Sequence, residues 1–198
     1  MRPRAPSLAR GLGAAGVAAL LASCAPDATT APREPGAPTM ARAGAAAGAG
    51  QSGLAAVRAA TAKYHRIEAA LADGYVNTRV CASSPAGAMG IHYVNPALRA
   101  DATFDPSRPE VLVYEPQKNG RLRLVAVEYF IWRALWDAAN PGGAGPALLG
   151  QPFFRSFGPA AHGEADHYEL HAWLWRHNPS GMFAQWNPDV TCAYAPRP

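Results

Sequence analysis

Hydrophobic residues recur at helical spacing in one stretch of the chain. In LAAVRAATAKYHRIEAALADGY, which begins at Leu54, they lie three and four positions apart among good helix formers, and Gly74 supplies a stop. The pattern predicts one amphipathic helix over this stretch. Its buried stripe is expected to consist of Leu54, Val57, Thr61, Tyr64, Ile67 and Leu71.

Beyond this helix the hydrophobic pattern changes to that of short strands. Runs rich in β-branched and aromatic residues occupy 89–94, 110–115, 121–132 and 167–175, and the PQKNG string between the second and third is typical of a hairpin turn. The segment 137–154 is predicted to be a long loop. The fold class that follows is α+β, with the N-terminal amphipathic helix packed on an antiparallel β-sheet or small β-barrel.

The N-terminus has the layout of an export signal. Three arginines precede an apolar run over 11–21 that is too short to span a bilayer, and the LASC string ending at Cys24 resembles a bacterial lipobox. We expect a signal peptide over 1–23, acylation of Cys24, and anchoring to a membrane of the cell envelope, the outer membrane where one exists. The alternative is a plain secretory signal with an incidental cysteine. The Ala-, Pro- and Gly-rich segment 24–53 is then a flexible tether, and 54–198 is a single β-rich domain.

The net charge of +4 comes mostly from this export signal. Arg2, Arg4 and Arg10 are three of the 18 Lys and Arg residues, and the remaining 15 nearly balance the 14 Asp and Glu residues. Because no basic cluster remains, nucleic acid is not an expected partner. The one partner that the sequence predicts is a membrane, reached through the N-terminal lipid.

Two cysteines remain once Cys24 is set aside for the lipid. An even pair in an exported protein indicates a disulfide, so Cys81 and Cys192 are predicted to be joined. Closing a loop of around 100 residues is worth about 4–5 kcal/mol in the chain-entropy model. A pair of metal-bound thiolates is the competing interpretation.

Polar residues inside the predicted strands are the candidates for chemistry. Glu128 interrupts an apolar face that also holds Leu122, Leu124 and Phe130, and burying it without a partner costs several kcal/mol. That partner is a metal ion, a ligand or an arginine. His92 points to the opposite face of its predicted strand from its neighbours Ile91 and Tyr93. Together with His171 it would complete a metal site, although a lone histidine in a strand is more often a core residue with a hydrogen-bond partner.

The histidines of HYELHAWLW constrain this hypothesis. His167 and His171 lie about 13 Å apart along a strand, so they cannot share one ion. The glutamate in HYELH is also misplaced for the H-E-x-x-H helix of metalloproteases. The predicted ligands are therefore His92, Glu128 and His171. Less favoured candidates are Glu115, His167 and Glu169.

Several of the chain's strings resemble a family of small exported bacterial proteins and lipoproteins. These strings are GAMGIHYVNPAL, PEVLVYEP, LRLVAVEY, LLGQPF, HYELHAWLWRHNPSGMF and WNPDVTC. The resemblance covers most of positions 60–192. It implies the same domain and the same export, and it assigns a role to no residue.

Three functional hypotheses follow. The first is an anchored lipoprotein that binds a divalent transition metal (zinc, iron or copper), since imidazole and carboxylate suit these ions. The second is a non-enzymatic module that binds a small ligand in a pocket lined by Trp132, Trp136, Trp173, Trp175 and Trp186. The third is a structural cell-envelope lipoprotein with no pocket. No sequence motif for a nucleophile, a phosphate loop or a dinucleotide is present, so the sequence leaves enzymatic activity undecided.

Overall fold

The computed structural model describes residues 53–157 and 164–196 of the chain. All of them belong to one unit, Pro38–Pro198. The expected signal peptide, the acylated Cys24 and the tether up to residue 52 lie outside the described residues. Among the described helices, none has both the length and the apolar character that a membrane span requires.

A curled antiparallel sheet forms the centre of the described domain. Six of its described strands make a half-barrel in the order β1-β2-β3-β4-β8-β7, and β5 pairs with β6 in a separate two-stranded ladder. The strands are β1 Val76–Ser84, β2 Gly87–Val94, β3 Val111–Pro116, β4 Leu122–Trp132, β5 Ala147–Leu148, β6 Gln151–Pro152, β7 Phe154–Ser156 and β8 His167–Ala172.

The predicted strands and the predicted hairpin are confirmed. The PQKNG turn joins β3 to β4, and the turn closes with a hydrogen bond from the Gln117 amide to the Arg121 carbonyl at 2.8 Å. The last predicted strand ends early, at Ala172 rather than Trp175. After Ala172 the Trp173 amide bonds to the Met182 carbonyl at 3.0 Å, so the chain leaves the β4–β8 ladder there.

Both faces of the sheet are covered by hydrophobic clusters. One cluster contains Ile91, Tyr93, Leu112, Tyr129 and Leu170 together with residues of the N-terminal helical region. The other contains Met89, Val113, Ala126, Phe130, Trp173 and Val190. We call the first the helix face and the second the polar-site face, because Glu128 lies on it between Ala126 and Phe130.

A β-bulge in β4 corrects one predicted face. Val113 pairs with Ala126 and Tyr114 pairs with Leu124, so Val125 is an extra residue in the ladder. An extra residue reverses the alternation on one side of it. Leu122 and Leu124 were predicted to share a face with Glu128, but they pack on the helix face instead.

The predicted N-terminal helix is divided. Residues 53–61 are α-helical, Ala62–His65 form a 3-10 turn, and α-helix resumes at Ile67–Ala72. Arg66 is extended between them, with φ −99° and ψ 115°. Tyr114 donates its hydroxyl to the Tyr64 carbonyl at 2.7 Å, the acceptor that the amide four residues on would use in a continuous helix.

The division also changes which residues of this region are buried. Val57, Tyr64 and Ala70 are buried against the helix face, whereas Leu71, predicted to belong to the stripe, is 53% exposed. Further described helices are the 3-10 turn Leu98–Ala100 and the α-helix Arg133–Ala139.

Some elements do not follow from the hydrophobic pattern. β1 has an irregular register between Asn77 and Cys81, where Arg79 adopts a φ of 63°, so its apolar residues do not alternate cleanly. The predicted loop over 137–154 instead contains the end of the last helix, the small β5–β6 ladder and the first residue of β7.

The predicted disulfide is confirmed. Cys81 on β1 is bonded to Cys192 near the C-terminus, across a separation of 111 residues, so neither sulfur is a metal ligand. The same C-terminal segment approaches β2 so closely that a Cβ on Gly87, which has a φ of +128°, would lie 2.4 Å from the Asn187 carbonyl oxygen. The C-terminal segment is therefore fixed against the edge of the sheet at two points.

Replacing both cysteines, Cys81→Ser with Cys192→Ser, is expected to lower the free energy of unfolding by about 4 kcal/mol, because the unfolded chain regains the freedom of a long loop. Denaturant unfolding of the oxidised protein and the double variant measures the difference. Equal midpoints with equal slopes would contradict it.

Candidate metal centre

Three strands bring the predicted ligands together on the polar-site face. Glu128 on β4 pairs directly with His171 on β8, and β3 separates β4 from β2, which carries His92. Strands lie about 4.8 Å apart, so the β2 and β4 backbones are about 9.6 Å apart and only long side chains can meet across β3.

Short side chains on β3 leave the space for this meeting. Val113 pairs with His92, and Val111 pairs with Glu128, so two valines form the floor between the histidine and the carboxylate. His92 points away from Ile91 and Tyr93, which belong to the helix face, as the alternation of the strand predicted. The predicted convergence of His92, Glu128 and His171 is therefore what the structure shows.

The donor atoms of the three residues are close and shielded from water. The Glu128 Oε2 atom lies 3.2 Å from His92 Nε2 and 3.6 Å from His171 Nε2, and one donor atom from each residue can be chosen so that all lie within 4.8 Å of one another. The side chains are 15%, 4% and 1% exposed for His92, Glu128 and His171. This group could hold a metal ion.

Two of these donor atoms are buried without a hydrogen-bond partner. They are Glu128 Oε2 and His171 Nε2. Leaving a buried polar atom unsatisfied costs about 1–3 kcal/mol, and more when the atom is charged. A cation between them would satisfy both atoms at once.

The electrostatics of the group favour a charged carboxylate. Burial by itself would raise the pKa of Glu128, but the nearby His171 and His92 outweigh burial and lower it. Burial opposes protonation of His92 as well, yet the Glu128 carboxylate beside it raises the His92 pKa above its ordinary value. The carboxylate is thus held ionised, and its charge is balanced by a protonated His92 or by a cation bound between the side chains.

The less favoured ligands lie outside this group. Glu115 lies further along β3, where its carboxylate accepts bonds from the Gln117 side chain at 3.1 Å and from the Thr191 amide at 3.2 Å. His167 and His171 do not share the group, which agrees with their expected separation along the strand.

Glu169 and His167 form a second buried polar cluster beside the first. Ser156 donates to Glu169 Oε1 at 2.6 Å, Gln185 donates to the same oxygen, and His167 Nε2 lies 3.5 Å from Glu169 Oε2. His167 Nδ1 donates to the Ala165 carbonyl at 2.8 Å. These contacts satisfy Glu169 within the protein, so it does not need an ion.

The five tryptophans are distributed over different parts of the domain. Trp175 packs with the cluster of the helix face, and its ring contacts His65 at a centroid distance of 4.3 Å. Trp136 contacts Phe104, and Trp132, Trp173 and Trp186 pack with the polar-site face. Trp173 stacks on His171 with ring centroids 6.0 Å apart, and this contact fixes the orientation of one candidate ligand.

A cavity of about 210 Å³ opens beside the group. His92 and Glu128 form part of its wall, and so does Arg99, which sequence reasoning missed. Arg99 lies in the short 3-10 turn Leu98–Ala100, where an arginine is ordinarily solvated, so no signal in the sequence identifies it. Its guanidinium instead stacks over the rings of Phe130 and Trp132, at 3.8 and 4.5 Å from their centroids, and pairs with Glu164.

Comparisons with protein-family models, with curated proteins and with solved structures found no match to this chain.

The buried carboxyl group of Glu110, next to β3, should make the stability of the fold depend on pH. Burial raises its pKa to about 8 from an ordinary 4.5, although the Phe130 amide donates to its carboxyl group at 3.2 Å. Because the folded-state pKa is raised, Glu110 favours folding below pH 4.5 and loses that contribution as pH rises through 8.

In the unsubstituted protein the free energy of unfolding should decline by a few kcal/mol between pH 4.5 and 8, at about 1.36 kcal/mol per pKa unit. The variant Glu110→Gln keeps an acceptor for the Phe130 amide and should not show this decline. Denaturant unfolding at several pH values tests this. Parallel pH profiles for the two proteins would show that the carboxyl group is not responsible.

Proposed function

We propose that this protein is an exported, lipid-anchored metal-binding protein whose domain holds one divalent transition-metal ion through His92, Glu128 and His171. The observation that carries the proposal is the pair of buried, unpartnered donor atoms, Glu128 Oε2 and His171 Nε2, with His92 Nε2 beside them. A buried polar group is ordinarily satisfied within the protein, and a cation held between these two atoms, 3.6 Å apart, would satisfy both.

The spacing of the donor atoms supports an ion of this class. Two donor atoms bound to one tetrahedral ion at about 2.0–2.1 Å lie about 3.3–3.4 Å apart. The two distances to Glu128 Oε2, 3.2 and 3.6 Å, bracket this value. Two imidazoles and one carboxylate suit zinc, iron or copper better than calcium or magnesium, which prefer oxygen ligands throughout.

The ligand count supports a site with open coordination positions. Three protein ligands leave at least one position of the ion free, as in zinc sites that bind water or substrate. His92 and Glu128 also line the cavity, so the free position would face the cavity. When bound, the ion supplies a Lewis acid that polarises a ligand or lowers the pKa of a bound water.

Export and anchoring are supported by the sequence and by the disulfide. Disulfides persist in oxidising compartments and are rare in the cytosol, and Cys81 and Cys192 are joined here. Cys24 follows three arginines and an apolar run, as the acceptor of a lipid would.

Metal binding is tested by loading the chelator-treated domain with Zn²⁺ or Co²⁺ and measuring the bound metal by elemental analysis and titration calorimetry. One ion per chain is expected for the unsubstituted protein. His171→Ala removes one of three ligands, so we expect its affinity to fall by a factor of 100 or more. At metal concentrations 100 times the dissociation constant, the unsubstituted protein should gain about 2.7 kcal/mol of stability.

His167→Ala is the matched control. His167 lies on the same strand and face, and it is buried to nearly the same extent, 2% exposed against 1% for His171. The His167→Ala variant should keep the metal. Glu128→Gln provides a milder second variant in case His171→Ala does not fold. Equal metal content in all four proteins would contradict the proposed site.

The lipid anchor is tested in bacterial cells with labelled palmitate. The full chain should incorporate the label and sediment with membranes, whereas Cys24→Ser should lose the label and appear in the soluble fraction, because its attachment requires the thiol. Unchanged sedimentation of unlabelled Cys24→Ser would show that another element anchors the protein.

A further inference from the structure

The cavity beside the proposed metal centre has two chemically different ends. The side chains of Val80, Val94 and Phe130 give it apolar walls. The ionisable groups of its lining are those of His92, Arg99, Glu128, Glu164, His167 and Glu169. Val80 is 58% exposed, so the apolar end opens toward solvent along β1. A ligand that fills this space therefore needs one polar head and one apolar tail.

Arg99 indicates the charge of that head. Its side chain is only 11% exposed, because the guanidinium is covered by the rings of Phe130 and Trp132. The two terminal nitrogens pair with Glu164, while the Nε–H is buried without a hydrogen-bond partner and can donate, together with one neighbouring N–H, to a second anion. An arginine held in one orientation on aromatic rings is suited to planar, two-oxygen anions such as carboxylates.

The volume limits the size of the tail. About 210 Å³ is below the 300–1,000 Å³ of pockets for drug-sized ligands, and it equals the liquid volume of about seven water molecules. A chain of four to six carbons with a carboxylate fits this space. A long-chain fatty acid or a sugar chain does not fit within it.

We propose that this cavity binds a small aliphatic carboxylate, with its head between Arg99 and the open position of the metal ion and its tail against Val80, Val94 and Phe130. The inference rests on the proposed function for the contact between the carboxylate and the metal ion, whereas the contact with Arg99 does not depend on an ion. The bound ion coordinates carboxylates and repels cations, so an amine of the same length should bind more weakly even though Glu164 and Glu169 also line the cavity.

The experiment titrates acetate, butanoate and hexanoate into the Co²⁺-loaded protein and follows the visible spectrum of the ion together with the heat of binding. Affinity should rise about fourfold per added methylene as far as hexanoate, because each methylene is removed from water. Hexylammonium should bind more weakly than hexanoate and leave the spectrum unchanged, because an ammonium group cannot coordinate the ion. Affinity that is independent of chain length, or equal binding of hexylammonium, overturns the proposal.

The variant Arg99→Met tests the contribution of the arginine independently of that of the ion. It keeps an unbranched, apolar side chain but removes the charge, and it should weaken hexanoate binding at least tenfold while metal content stays the same. Arg133→Met is the control, since Arg133 pairs with Asp166 at 3.4 Å and does not line the cavity. Equal hexanoate affinity in the unsubstituted protein and Arg99→Met overturns the role of the arginine.

The wall is tested with an isosteric pair. Val94→Thr places a hydroxyl on the cavity wall and should reduce the gain per methylene, whereas Val76→Thr, at the position paired with Val94 but outside the cavity lining, should not. The metal titration distinguishes the two levels of the argument. If no metal binds, the proposed function fails; if metal binds and carboxylates do not, only this inference fails.

Discussion

The ionised carboxylate of Glu128 on the buried face of an inner strand is the constraint on which the rest of the site depends. β4 is paired on both sides, by β3 and by β8, and Glu128 is only 3% exposed, so the partners of its carboxylate come from neighbouring strands. β8 supplies His171 as the direct pair, and β2 supplies His92 across two valines. His92 Nε2 lies 3.2 Å from Oε2 as its ion-pair partner, whereas His171 Nε2, at 3.6 Å, forms no hydrogen bond with it.

The two faces of the sheet differ in role: contacts on the helix face stabilise the fold, and the polar-site face carries the candidate binding site. Tyrosines stabilise the helix face, where Tyr114 bonds to the Tyr64 carbonyl and Tyr75 to the Pro109 carbonyl at 2.6 Å. These bonds attach the N-terminal helical region and the loop before β3 to the sheet. The polar-site face is covered by the C-terminal segment, which the Cys81–Cys192 disulfide attaches to β1. Because the fold is secured by these contacts, the polar site can retain unsatisfied atoms without losing the whole structure.

The strand pattern predicted much of the site, because side-chain alternation is a local property. It placed His92 opposite Ile91 and put His171 on one face with Glu169. Whether those faces would coincide depended on register, which the β4 bulge at Val125 changes and which no local pattern specifies. The helix break at Arg66 has the same origin, since a tyrosine 50 residues away competes for a helical carbonyl. Arg99 was missed because only the folded chain places aromatic rings on its guanidinium.

The number of ligands distinguishes a binding site from a structural one. Structural zinc sites are closed by four protein ligands, and they supply folding energy that small domains otherwise lack. Among the described residues, the group here has three potential ligands, and two of the chain's cysteines are already committed to the disulfide. This domain also has two hydrophobic clusters and a covalent closure, so it does not depend on an ion for its core. An ion held by these three residues would keep an unfilled position beside the cavity and Arg99, which is the arrangement that the proposed binding of a second molecule requires.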